Sequence, residues 1–468
     1  MWAARLEHVR VLFATAELAP VATVGGLASA AAGLGAELRR QGVDVEFVMP
    51  DYGGVELTGE STIDLAVPSW VGPARIRIGL HPVVGRLHLV SVPGMARPHP
   101  YLQANGEGWI DNSERFFRFA RAVAAYVELD PPDVLHLNDW HTGAVLAALD
   151  DPPPTVLSLH NLAYQGVTDG SWLGLIGSQS GHFEWWGDTN PLSGAVALAD
   201  RIVAVSPHHA KEIVTREGGF GLDEQLRHRG ADVVGILNGI DTDVWNPATD
   251  TLIEEVFDSA TLDRRDANRR ALHDRLGLVD DGVPLATVVT RLTHQKGIDL
   301  LAPLVPLLEQ IPMRLGILGS GDAGLAAHLH HLADEHPSSF AFVEGYDESL
   351  SHVMFAGADA YLMPSRFEPC GLTQMQAMRY GAIPIVTAVG GLVDTVVDAD
   401  LDRRGTGFVA GRVAPEDLLA AMFRAARRIR DRRRRQALQR RMMGADWSWR
   451  LPAAEYSALY AELSGRSR

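Results

Sequence analysis

The run Ala360-Tyr-Leu-Met363 leads into Pro364-Ser-Arg-Phe-Glu-Pro-Cys-Gly-Leu-Thr-Gln374, an apolar stretch that breaks at proline and restarts as a helix near Gly371. This pattern puts Glu368, Cys370 and the amides of Gly371, Leu372 and Thr373 at a helix N-terminus. Free N–H groups and the positive end of a helix dipole suit a phosphate, and a neighbouring carboxylate can grip sugar hydroxyls. A plain strand–turn–helix connection with a capping glutamate would look the same locally. Lysine usage adds a second signal. Lys211 and Lys296 are the only lysines among 42 basic residues, so where lysine persists a need for a compact ammonium gains weight. Lys296 closes Arg291-Leu-Thr-His-Gln-Lys296, just after the apolar strand Leu285–Thr290. Two such cations on a loop leaving a strand suit a diphosphate; two solvated loop charges are the alternative.

Other polar clusters also follow apolar runs. Val24-Gly-Gly-Leu27 precedes an Ala-rich helix, and Gly25 and Gly26 let the backbone approach a phosphate or sugar, a weak motif alone. His136-Leu-Asn-Asp-Trp-His141 ends one strand and Ser158-Leu-His-Asn161 the next, which sets Asp139, His160 and Asn161 on one rim. Gly319-Ser-Gly-Asp322 and Gly345-Tyr-Asp347 follow strands in the second half.

The elements that must position these residues form two series. Val9–Ala14, Val43–Met49, Val134–Leu137, Val156–Leu159, Ile202–Val205 and Val233–Leu237 make the first. Leu285–Thr290, Leu315–Leu318, Phe340–Val343, Ala360–Met363 and Ile383–Val386 make the second. Near-continuous apolar strands interleaved with helices mean parallel sheets covered on both faces. The chain is therefore α/β, with two Rossmann-like doubly wound domains whose ligands sit beyond the carboxyl ends of the strands. Turn-rich Asn238–Pro247 marks the boundary, giving domains 1–242 and 243–450. A final helix, 451–468, returns to the first domain through a stripe of Tyr456, Leu459, Tyr460 and Leu463. Residues Arg75–Val92 alternate as an antiparallel excursion would.

Composition narrows the partners. A formal charge of −16 argues against nucleic acid or an anionic membrane. The basic run Arg427–Arg441 reads as a solvated helix face, with polyanion binding as the lesser option. The single cysteine, Cys370, cannot form an internal disulfide and fits a reducing cytoplasm. No basic-then-apolar leader precedes the first strand, and Leu18–Ala36 is too rich in glycine and alanine to span a bilayer.

Together these segments resemble the bacterial glycogen synthase and plant starch synthase family, retaining glycosyltransferases of the GT-B fold, in which two domains face each other across a cleft. The resemblance rests on Asp111–Phe116, Asn138–Thr142, His160–Gly166, Gly235–Asp241, Arg291–Gly297 and Gly345–Glu348. Met363–Leu372, Gln374–Gly381, Gly390-Gly391, Thr406–Phe408 and Trp447–Trp449 extend it almost to the end. It implies a nucleoside-diphosphate-activated donor and leaves the nucleobase, the acceptor (small molecule or glucan) and the oligomeric state open. By the same likeness Arg291 and Lys296 would neutralise the donor diphosphate and Glu368 would hold sugar hydroxyls. The amides of Gly371, Leu372 and Thr373 would take the distal phosphate, Tyr346 would pack on the base, and Gly25, Gly26, Gly319 and Cys370 would line the donor. His160 would sit by the reacting carbon, and Asp139 and Asn161 would face the acceptor. The leaving phosphate would itself take the acceptor's proton, so no general base is assigned. No metal and no cofactor is implied.

The departures cluster in the first half. The family's Lys-Thr-Gly-Gly-Leu-Ala-Asp loop reads Thr23-Val-Gly-Gly-Leu-Ala-Ser29, and its Asn-Phe-Leu-Lys segment reads Asn190-Pro-Leu-Ser193. Losing a buried cation from a diphosphate site would cost several kcal/mol, which suggests that the ligand beside Thr23 and Ser29 has changed. That argument favours a pseudo-glycosyltransferase joining an activated cyclitol or sugar to a small acceptor. An ADP-glucose-dependent α-1,4-glucan synthase is the alternative, and a non-catalytic glucan- or partner-binding protein the third reading.

Overall fold

The computed structural model describes residues 9–103 and 106–465. The chain forms two compact units: one runs to Gly239 and resumes at Trp449, and the other is Ile240–Ser448. The sequence pattern places these boundaries at 242 and 450.

The first unit is built on a nine-stranded sheet. Its spatial order is Val233–Gly235, Arg201–Ala204, Thr155–Leu159, Val134–Asn138, Arg10–Ala14, Asp44–Pro50, Gly85–Ser91, Arg75–His81 and Thr58–Asp64. Neighbours run parallel as far as Gly85–Ser91. The last two strands are antiparallel, which gives the 75–92 excursion its form. Successive side chains of Arg10–Ala14 feed different cores, Leu12 and Ala14 one and Val11 and Phe13 the other. Both faces are thus covered, as a parallel sheet requires.

Helix Arg450–Gly465 belongs to this unit. Its buried face of Tyr456, Leu459, Tyr460 and Leu463 joins the core of Val11 and Phe13. Two of its hydroxyls reach polar groups under the sheet: Tyr460 meets His136 Nδ1 at 2.6 Å, and Tyr456 meets Ser158 Oγ at 3.1 Å.

The second unit carries six parallel strands in the order Phe340–Glu344, Arg314–Gly321, Leu285–Leu292, Ala360–Met363, Ile383–Thr387 and Phe408–Ala410. The chain reverses its direction of winding between Leu285–Leu292 and Ala360–Met363, and a doubly wound sheet binds ligands beyond the strand ends at such a point. The reversal in the first unit falls between Arg10–Ala14 and Val134–Asn138. The two units are therefore Rossmann-like α/β domains.

Three local expectations change. Arg291 lies inside the strand Leu285–Leu292, paired with Ser320, rather than on a loop, because the neighbouring strand is equally long. The short strands Phe408–Ala410 and Thr58–Asp64 carry too little alternation to be read in advance. The arginine run is divided between helices Pro415–Arg430 and Arg432–Met443 by Asp431, whose carboxylate caps the second by accepting from the Arg434 amide at 3.1 Å. Among the described residues no helix is long and apolar enough to cross a membrane.

Candidate active site

At the reversal point of the second unit, Lys296 Nζ lies 2.6 Å from Glu368 Oε2. Glu368 is only 5% exposed, and the same oxygen accepts from Ser365 Oγ at 3.0 Å. The pair links the loop after Leu285–Leu292 to the loop after Ala360–Met363. Two glycines make the approach possible. Gly297 has φ +64, and a Cβ there would lie 2.1 Å from the Pro364 carbonyl oxygen. A Cβ on Gly391 would lie 2.1 Å from the Cys370 carbonyl oxygen, and the Gly391 N–H donates to the Glu368 carbonyl at 3.0 Å. Arg366 braces the outside of the loop, bidentate to Asp299 at 2.7 Å and donating to the His294 carbonyl at 3.0 Å.

The other donor residues expected in this unit lie at or after the carboxyl ends of its strands. Arg291 is exposed, and Tyr346, 79% exposed after the strand Phe340–Glu344, presents an open ring. Gly319 comes so close to Leu285–Leu292 that a Cβ would meet the Thr290 carbonyl oxygen at 2.2 Å. Cys370 is buried. The helix begins at Thr373, after Gly371 at φ +73 and Leu372 as its N-cap, slightly later than its sequence suggests. Glu368 serves as the lysine's partner and not as a helix cap.

The first unit's cluster is organised by two residues that the sequence reading did not single out. Asn138 ends its strand and donates from Nδ2 to the Ala14 carbonyl at 2.9 Å. Its Oδ1 therefore accepts, and His160 Nε2, 2.9 Å away, carries the proton. The position of Asn138, one residue before Asp139 at a strand end, was the available clue. Glu17 is the second. Its Oε2 accepts the Val24 and Gly25 amides at 2.9 and 2.7 Å, and Oε1 accepts from Tyr101 Oη at 2.9 Å. The Gly25 amide is thus engaged by a carboxylate of the same chain, while Gly26 opens helix Gly26–Arg40 at the surface.

Asp139 turns inward. It sits at φ +54, 7% exposed, and its Oδ1 accepts the His160 amide at 2.7 Å and the Asn161 amide at 3.4 Å. It thereby orients the loop that carries both residues. Thr23 and Ser29 are exposed. Ser193, where the family lysine is lost, is buried in a reciprocal pair with Gln225: its Oγ donates to Oε1 at 3.1 Å, and Gln225 Nε2 donates to its carbonyl at 2.9 Å.

Burial pushes the Asp139 carboxyl up to about 7, opposed by the His160 and Asn161 amides and aided by the Glu17 charge. Burial pulls His160 down to about 4 and His141 to about 3. Folded Asp139 keeps a proton that the unfolded chain has lost, so its contribution to stability falls as pH rises from about 4 to about 7. The histidines act oppositely and add stability as pH rises towards about 6.5. Asp139→Asn should remove only the first trend. Relative to the parent, the variant should gain about 2–3 kcal/mol between about pH 5 and about pH 7.5. Chemical denaturation at the two pH values checks this, and parallel profiles would refute it.

Known proteins match the chain along nearly its whole length. A starch synthase catalytic domain model matches residues 10–228, and a group 1 glycosyl transferase model matches 271–440. The chain is 41% identical to glycogen synthase of Acidiphilium cryptum (strain JF-5) over 98% of this chain and 100% of that protein. It is 40% identical to glycogen synthase of Rhodopseudomonas palustris (strain BisA53) over 98% of each. The chain belongs to the glycogen and starch synthase family. It is a glycosyltransferase of the GT-B fold class. The catalytic domain of starch synthase IV from Arabidopsis thaliana, solved bound to ADP and acarbose, matches this family member with a TM-score of 0.88 and 32% identity, covering 98% and 99% of the two chains. A sucrose-phosphate synthase from Thermosynechococcus elongatus shares the fold alone, with a TM-score of 0.64 at 18% identity.

These relatives favour the glucan-synthase reading and lend no support to a pseudo-glycosyltransferase.

Proposed function

We propose that this protein is a retaining glucan synthase that extends α-1,4-glucan from ADP-glucose. The Lys296–Glu368 pair at the reversal point of the second unit carries the reading, supported by the near full-length likeness to glycogen synthases. In the proposed reaction the bond from glucosyl C1 to the diphosphate breaks and a bond from C1 to the acceptor's 4-hydroxyl oxygen forms. The hydroxyl proton passes to the departing phosphate oxygen, and ADP leaves. Arg291 and Lys296 stabilise the charge that grows on the diphosphate. Glu368 orients the glucosyl ring once Lys296 turns to the phosphate, and Tyr346 offers its ring to the adenine. Burial holds His160 neutral, and Asn138 and Asp139 hold it in place, so that no cation opposes the positive charge developing at C1.

The purified protein should transfer labelled glucose from ADP-glucose to glycogen at about 1–10³ s⁻¹. ADP should raise its melting temperature more than an equal concentration of UDP. Absence of incorporation from ADP-glucose, in a preparation that is stabilised by ADP, would refute the proposed donor–acceptor pair.

A further inference from the structure

Part of the arginine run, which the transfer chemistry does not use, lines a separate cavity within the second unit. The cavity has a volume of about 60 Å³ and is bounded by Arg265 and Arg269 of helix Arg265–Leu276, by Arg432 and Arg435 of helix Arg432–Met443, and by Asp359. That volume holds several water-sized groups, enough for the oxygens of a small oxyanion.

Two features favour an anion at this site. Both helices place arginine in their first turns, Arg265 beside Asp266 in one and Arg432 to Arg435 after the capping Asp431 in the other. Cations at that end oppose the helix dipole, and an anion there is favoured. Arg265, 7% exposed, is also only partly satisfied. It donates to the Ala358 carbonyl at 2.6 Å and stands 5.7 Å from the centre of the Phe257 ring, while its buried Nε has no acceptor. Burying a guanidinium in this state is costly, and burial pulls its pKa down to about 10.

The nearby carboxylates are already committed or exposed. Asp359 is held by Arg269 and by the Leu285 amide, and Arg435 reaches it only at 3.6 Å. Asp263 pairs with Arg432 at 2.6 Å and Gln436 at 2.9 Å, and Asp266 lies at the surface. Asp280, outside the cavity, takes a second bond from Arg269 at 2.9 Å, so of the four lining arginines Arg265 alone has no ion pair among the described residues.

We propose that this cavity binds a phosphate-class oxyanion, either inorganic phosphate or the phosphate group of a phosphomonoester, through Arg265, Arg432 and Arg435. The site is distinct from the donor residues. Asp359 precedes the strand Ala360–Met363, whereas Ser365 and Glu368 follow it, so the two sites lie at opposite ends of one strand.

The test uses the full chain carrying Arg291→Ala and Lys296→Ala, which removes the cations expected to bind phosphate at the donor site. In that background millimolar phosphate, compared with chloride at equal ionic strength, should raise the melting temperature by about 2–4 °C. Adding Arg435→Gln and Arg432→Gln, both at partly or fully exposed positions, should abolish the rise. Glycerol phosphate serves as a second probe: a shift equal to that of phosphate assigns the site to the phosphate group alone, and a larger one to a phosphomonoester. No phosphate-specific shift in the donor-site background, or one that survives both arginine substitutions, would overturn the proposal.

Discussion

Lys296→Ala should lower turnover by about 10²–10³-fold, because the ammonium stabilises charge that grows only as the diphosphate leaves. The structure adds a second consequence. Removing Lys296 strands the Glu368 carboxylate, 5% exposed, with Ser365 Oγ as its remaining hydrogen-bond donor. Breaking such a pair costs about 3–5 kcal/mol, so the variant should also melt lower than the parent. Added ADP would recover little of that loss, since the variant lacks a phosphate contact. Steady-state kinetics with ADP-glucose and glycogen, together with melting curves with and without ADP, measure both effects. A variant with near-normal turnover would remove Lys296 from the mechanism.

Glu368→Ala should reduce transfer by a comparable factor and yet leave ADP binding largely intact. Its carboxylate is assigned to the sugar, which ADP lacks, and deleting it frees Lys296 from the ion pair. The loop itself should survive, because the Glu368 main-chain carbonyl still accepts the Gly391 amide and Arg366 still grips Asp299. Calorimetric titration with ADP beside the transfer assay separates the two. If ADP affinity fell in step with transfer, Glu368 would be shaping the phosphate site and not holding the sugar. Loss of ADP affinity in Lys296→Ala but not in Glu368→Ala, with similar effects on turnover, would mark the pair as divided between phosphate and sugar.

Much of this was legible in the residues, and the misreadings have identifiable causes. The strand at Ala360–Met363 announces itself by four apolar residues before Pro364, and the C-terminal helix by Tyr456, Leu459, Tyr460 and Leu463 at helical spacing. Arg291 was set on a loop because one polar residue near a strand end looks like the end itself. Glu17 and Asn138 were overlooked because each acts through main-chain or amide groups elsewhere in the chain. Glu17 engages the Val24 and Gly25 amides, and Asn138 the Ala14 carbonyl and His160. The altered glycine loop points to a new ligand only when it is weighed alone, since the chain follows glycogen synthases over nearly its whole length.

The residue pattern alone dictates the two doubly wound sheets and puts each polar cluster after an apolar strand. Alternation of apolar strands with helices forces parallel pairing, and the residue types after each strand are a local property. Which of those strand ends become neighbours depends on the packed fold. Lys296 and Glu368 are 72 residues apart and meet because Leu285–Leu292 and Ala360–Met363 lie side by side at the reversal of winding. Strand order arises from how helices pack on a sheet across the whole unit, and no local pattern of residues encodes it. The same holds for Arg265 and Arg435, whose shared cavity exists only because the first turns of two distant helices converge.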